Sequence, residues 1–133
     1  EEMMQELGYG DGDPRLRLAQ LSDALTRNCR YVCSIKLHTG EITLEQATRF
    51  FMENAYMEEL PAHKEALRGT FDPGYLNYTL GKLMLMKLRD DYREESHSSF
   101  SIKDFHDRVL SFGAPPIPLL RRRMLKDPGD KIL

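Results

Sequence analysis

Apolar residues recur at helical spacing along almost the whole chain. Leu16, Leu18, Leu21, Leu25, Val32, Ile35 and Leu37 supply one face of a long helix. Asp13 is its expected N-cap, Pro14 its first residue and Gly40 its stop. Thr43 followed by Gln46 is a capping-box signature, opening a helix through about Met57 with Leu44, Ala47, Phe50, Phe51 and Ala55 on one side. Pro61 sits near the start of a short helix that runs to about Arg68, and Asp72-Pro73-Gly74 breaks the chain after it. Tyr75 to about Glu94 reads as the most apolar helix, carrying Leu76, Leu80, Leu83, Met84, Met86 and Leu88. Residues 96–100 are a polar loop, and Ser101 caps a helix from Ile102 to about Phe112, stopped by Gly113. Pro115-Pro116-Ile117-Pro118 leads into a last short helix, Leu119 to Leu125. Glu1 to Leu7 looks like the tail of a helix stopped by Gly8 and Gly10. No strand alternation longer than a few residues appears. The expected fold is all-α, an irregular bundle of five or six helices, with 1–126 as one helical domain and 127–133 as a flexible tail.

Composition narrows the function classes. A hydrophobic share of 41% beside a charged share of 30% is ordinary globular material rather than disorder. A net charge of −2 argues against a nucleic-acid partner, which needs a basic face. The basic run Arg121-Arg122-Arg123 is expected to be a solvated helix end. No apolar run approaches the roughly 20 residues that span a bilayer. The first residues are acidic where a signal peptide would be basic. The chain lacks an initiator Met and opens in what reads as mid-helix, so it is expected to be part of a longer polypeptide.

Candidate chemistry is sparse. Cys29 and Cys33 share a helix face and read as small buried apolar groups; a metal pair with His38 is the alternative, at a spacing unusual for zinc. His63, His97 and His106 form no H-E-x-x-H arrangement. The run Leu83-Met84-Leu85-Met86 reads as core packing. The unusual segment is Arg68 to Lys82: a Pro-Gly helix entrance, Tyr75 and Tyr78 just inside it, and Gly81 within the helix. A helix N-terminus with nearby phenols can hold an anion or polarise a carbonyl. Two tyrosines serving as ordinary wall residues explain the same pattern.

Three ordered motifs resemble the bacterial domain-of-unknown-function 885 family, whose members resemble zinc metallopeptidases of the gluzincin type. Arg68, Pro73, Gly74, Tyr78 and Gly81 follow one family pattern in order. Tyr75 stands where the family usually has Gln, and Leu76 where it has Ala. Upstream, Arg30, Val32, His38, Thr43, Glu45, Gln46 and Ala47 match a second pattern, with Ser34 and Lys36 in place of the common Asp and Gly. Downstream, Phe100, Phe105, His106, Leu110, Gly113 and Pro116 match a third. The resemblance covers residues 1 to about 125.

The resemblance implies the C-terminal helical part of a zinc-dependent peptidase-like hydrolase, supplying one wall of a substrate cleft. It places the zinc helix and a later Glu ligand upstream, so zinc is expected in the longer protein and no cofactor in this chain. Tyr78 would then stabilise the substrate oxyanion, with His38 flanking the cleft. Arg30, Arg68 and Tyr75 would contact substrate, the arginines pairing with a carboxylate or buttressing helices. The implied partners are the N-terminal part of the same polypeptide and a peptide-like substrate. The competing expectation is a non-catalytic helical interaction or dimerisation module that self-associates through its apolar faces.

Overall fold

The computed structural model describes residues 2–129 and 132–133. Its described residues hold seven α-helices and no strand: α1 (Glu2–Glu6), α2 (Pro14–His38), α3 (Leu44–Ala55), α4 (Glu59–Gly69), α5 (Asn77–Ser96), α6 (Ile102–Ser111) and α7 (Ile117–Met124). The all-α expectation holds, with helices slightly more numerous than the five or six anticipated. The chain divides into two compact units, Glu1–Thr79 and Leu80–Leu133.

In the first unit the local signals act as chemistry requires. The Asp13 side chain accepts from the Arg15 backbone N–H at 2.9 Å, satisfying one of the orphan donors at the start of α2. Thr43 and Gln46 close a full capping box at the start of α3, at 3.3 and 2.8 Å. α3 stops at Ala55, two residues short of the expected end, because Tyr56 adopts a left-handed conformation at φ 55°. The break after α4 is deeper than expected: Pro73–Leu76 forms a 3-10 turn, so α5 begins only at Asn77.

The core of this unit lies on a different stripe of α2 from the one most of its leucines suggest; of them, Leu37 packs against it. Cys29 and Cys33 pack with Ala47, Phe51 and Ala55 of α3, Ala62 and Ala66 of α4, and Tyr75. Both cysteines are free and buried, and burial pushes the Cys33 thiol up to about 12, which leaves it inert. By contrast Leu18 is 68% exposed, and Leu16, Leu21, Leu25 and Ile35 are exposed as well. Hydrophobic spacing alone finds the helix, but the small residues choose its buried side, because they admit α3 and α4 closest to its axis.

The second unit closes around Leu88, Phe105, Leu120, Met124 and Leu125. Ser101 caps α6 by accepting from the Asp104 N–H at 3.2 Å. Two expectations fail here. Leu83 and Leu85 are exposed, so the Leu-Met run is not core in this chain. Arg121 is buried, not solvated: its guanidinium reaches Asp91 at 2.7 Å and donates to the Pro128 carbonyl at 2.6 Å. Burial pushes the Asp91 carboxyl up, but Lys87 and Arg121 together hold it below the usual carboxylate range. In the segment expected to be a flexible tail, the N–H groups of Lys126 and Asp127, on either side of its start, donate to Glu95 at 2.9 and 3.2 Å. Residues 130 and 131 of that tail, like Glu1, lie outside the described residues.

Gly81 yields a direct expectation. A Cβ built there meets nothing within 4 Å, and its φ is not positive. Gly81→Ala should therefore raise stability by roughly 0.5–1 kcal/mol, since only the excess backbone entropy of glycine is removed. Urea unfolding of the two chains measures this, and a loss of stability would show that the position is crowded.

Candidate functional site

The geometry starts from α4. Ala62, Ala66 and Gly69 are buried at helical spacing, a stripe of small residues facing the core. Glu65 and Arg68 flank this stripe. The turn after α4 is anchored to α2 by the buried Ser34, whose hydroxyl donates to the Pro73 carbonyl at 3.2 Å. The start of α5 is tied to the same helix, Thr79 donating to the Asn28 side-chain oxygen at 3.2 Å. Gly69 packs tightly: a Cβ there would stand 3.0 Å from the Leu37 Cδ1 methyl and 3.5 Å from the Tyr75 ring, so Leu37 would have to give by a few tenths of an ångström.

At the centre is an ion pair with two parallel hydrogen bonds. Arg30 donates through Nε and Nη2 to the Glu65 carboxylate at 2.8 and 2.7 Å. The pair is largely buried, its side chains 17% and 22% exposed. Tyr75 is fully buried, and its hydroxyl lies 2.7 Å from the Glu65 carbonyl and 2.5 Å from the carboxylate oxygen Oε2. Arg30 holds the Glu65 carboxyl below its usual range against the cost of burial, with Tyr75 adding to the effect. Burial and the adjoining carboxylate raise the Tyr75 phenol far above its ordinary value, so it stays a neutral donor.

Two cations stack over these rings. The Arg30 guanidinium carbon lies 5.4 Å from the Tyr75 centroid and 5.7 Å from that of Tyr78, and the Arg68 carbon lies 5.4 Å from Tyr75. Arg68 also pairs with Asp72 at 3.2 Å. Its guanidinium is held above its ordinary value first by the Tyr78 hydroxyl beside it and then by Asp72. Tyr78 itself is 51% exposed and Arg68 partly so. The layering is clear: Arg30, Glu65 and Tyr75 form a buried base, and Arg68 and Tyr78 stand on it facing outward.

Four of the five residues singled out in the sequence therefore meet: Arg30, Arg68, Tyr75 and Tyr78. His38 stands apart. It is exposed at the last residue of α2, roughly 12 Å along the axis from Arg30. Glu65 is the residue that sequence reasoning missed. Its signal was a carboxylate one turn before Arg68 on the border of an alanine stripe, where an acid needs a cation opposite it.

Among the described residues no group of three or more His, Cys, Asp or Glu side chains is placed to hold a metal ion. The exposed groups of this cluster, the Arg68 guanidinium and the Tyr78 hydroxyl, carry N–H and O–H donors, so what they can hold is an anion or a polarised carbonyl oxygen. A family model described as bacterial protein of unknown function (DUF885) matches residues 1–124. The chain belongs to this family. No curated protein and no solved structure matches it. The family match spans all of α1 to α7 and includes every residue of the cluster.

Proposed function

We propose that this member of the DUF885 family is the C-terminal helical part of a zinc-dependent, peptidase-like hydrolase and lends one wall to its substrate cleft. The observation that carries this reading is the half-exposed Tyr78 phenol beside the Arg68 guanidinium, standing on the buried Arg30–Glu65–Tyr75 base. A hydroxyl beside a guanidinium is a strong donor to an oxygen that gains negative charge during acyl transfer. Rigid placement matters as much as charge, because donors that need no reorganisation stabilise the transition state most. The buried base supplies that rigidity: Arg30 spends two of its donors on Glu65 and is largely buried, so on this reading it buttresses the site. Tyr75 is likewise a positioning residue, its hydroxyl being taken.

The described residues offer no ligand set that fits zinc. On this reading the metal belongs to upstream residues of the longer protein. The test is peptide hydrolysis and metal content of the longer protein that carries this chain. Hydrolysis with equimolar zinc is the expected result; an intact protein that holds no metal and cleaves no peptide would sink the reading.

One observation favours a second reading. Leu18, Leu21 and Leu25 are exposed on one face of the first half of α2, a surface that suits a non-catalytic interaction or dimerisation module. The same hydrolysis measurement separates the two.

A further inference from the structure

The second unit holds a cavity of about 310 Å³ lined by Arg108, Arg123 and Lys126, together with Tyr92, Ser96 and Glu95. Among the described residues none of these three cations takes part in a salt bridge. The one carboxylate of the lining, Glu95, spends both oxygens on the backbone N–H groups of Lys126 and Asp127. Helices α5 and α7 end at the cavity, at Ser96 and Met124, and each terminus adds about half a negative charge. Three full positive charges outweigh these contributions, so the cavity stays net positive.

Its walls are also built to hold their shape. The Tyr92 ring is wedged between Phe100 and Phe105, at centroid distances of 6.4 and 5.8 Å. Arg108 lies over that ring at 5.7 Å and donates to its hydroxyl at 3.4 Å. One guanidinium is thus fixed on an aromatic platform, and Arg123 and Lys126 line the same concavity. All three present N–H donors and no acceptor. The matching ligand is a compact oxyanion with several acceptor oxygens.

We propose that this cavity binds the phosphate group of a phosphorylated molecule, either a small soluble ester or a lipid headgroup. Arg122 provides the internal control: it adjoins Arg123, is exposed, and does not line the cavity. Titration of the full 133-residue chain with inorganic phosphate, followed by amide NMR at physiological salt, should give saturable shifts at Ser96, Ser99 and Lys126. Arg123→Gln and Lys126→Gln are both at exposed positions, and each should weaken binding roughly tenfold or more. Arg122→Gln should leave it unchanged. Sedimentation with phosphatidate-containing vesicles then assigns the source. Pelleting that inorganic phosphate competes away supports the headgroup, and saturable phosphate binding without pelleting supports a soluble ester. Shifts that never saturate overturn the proposal, as does an equal loss in Arg122→Gln and Arg123→Gln, since either marks general screening of surface charge.

Discussion

Glu65→Ala should cost about 3 kcal/mol of stability, the largest effect expected of any single change in the first unit. The substitution strips the Arg30 guanidinium of both its hydrogen bonds and leaves it largely buried; it also removes the side-chain partner of the Tyr75 hydroxyl. A charge left alone in such a place is penalised much more than the intact pair is rewarded. The figure sits at the low end for buried pairs because water still reaches the edge of both side chains. Replacing both partners, as Arg30→Met with Glu65→Leu, should recover much of the loss, because no orphaned charge remains. Urea midpoints of the single and double variants decide the matter, and a Glu65→Ala cost under about 1 kcal/mol would mark the pair as surface-like.

The same pair sets an acid limb. Arg30 holds Glu65 below its usual range, so the folded state binds this proton more weakly than the unfolded chain does. The resulting stability is full above the unfolded glutamate value of about 4.3 and drains away as pH falls through the lower folded value. Glu65→Gln should flatten that part of the curve.

How much of this was legible in the residues depends on the kind of signal. The starts of α2, α3 and α6 were, because Asp13, Thr43 and Ser101 each cap with a side chain a few residues from the donor it satisfies. The meeting of Arg30, Arg68, Tyr75 and Tyr78 was legible only through the family's motifs. Nothing local joins Arg30 to Glu65 across 35 residues. What joins them is the close approach of α2 and α4 over Cys33, Ala62, Ala66 and Gly69, and a stripe of small residues predicts an approach without naming the partner. The burial of Arg121 was illegible for a similar reason. Its acid lies on α5, and a run of three arginines looks the same whether one of them turns inward or none does. Leu83 and Leu85 erred in the opposite direction: apolar character states what a residue would gain from cover, not whether the chain supplies it.

Tyr78→Phe in the longer protein should lower turnover roughly 100- to 1000-fold while leaving its melting curve nearly unchanged. The change removes one hydroxyl from a half-exposed ring and keeps the ring over Arg30. If that hydroxyl donates to the developing negative oxygen of a peptide carbonyl, its loss costs about 2.7–4 kcal/mol of transition-state stabilisation. A hydroxyl with a purely structural role would instead cost about 1 kcal/mol of stability and leave the rate almost intact. Tyr75→Phe is the informative comparison, because its buried hydroxyl serves Glu65. It should lower stability by about 1–3 kcal/mol. Its effect on turnover should be smaller and indirect, through the platform on which Arg68 rests. The two variants thus exchange signatures: rate for Tyr78, stability for Tyr75. Measuring kcat/KM on a peptide substrate beside the melting curves of both separates the roles. If Tyr78→Phe keeps near-normal turnover, or loses it only in step with stability, Tyr78 is wall material and the outward-facing donor of this site is Arg68 alone.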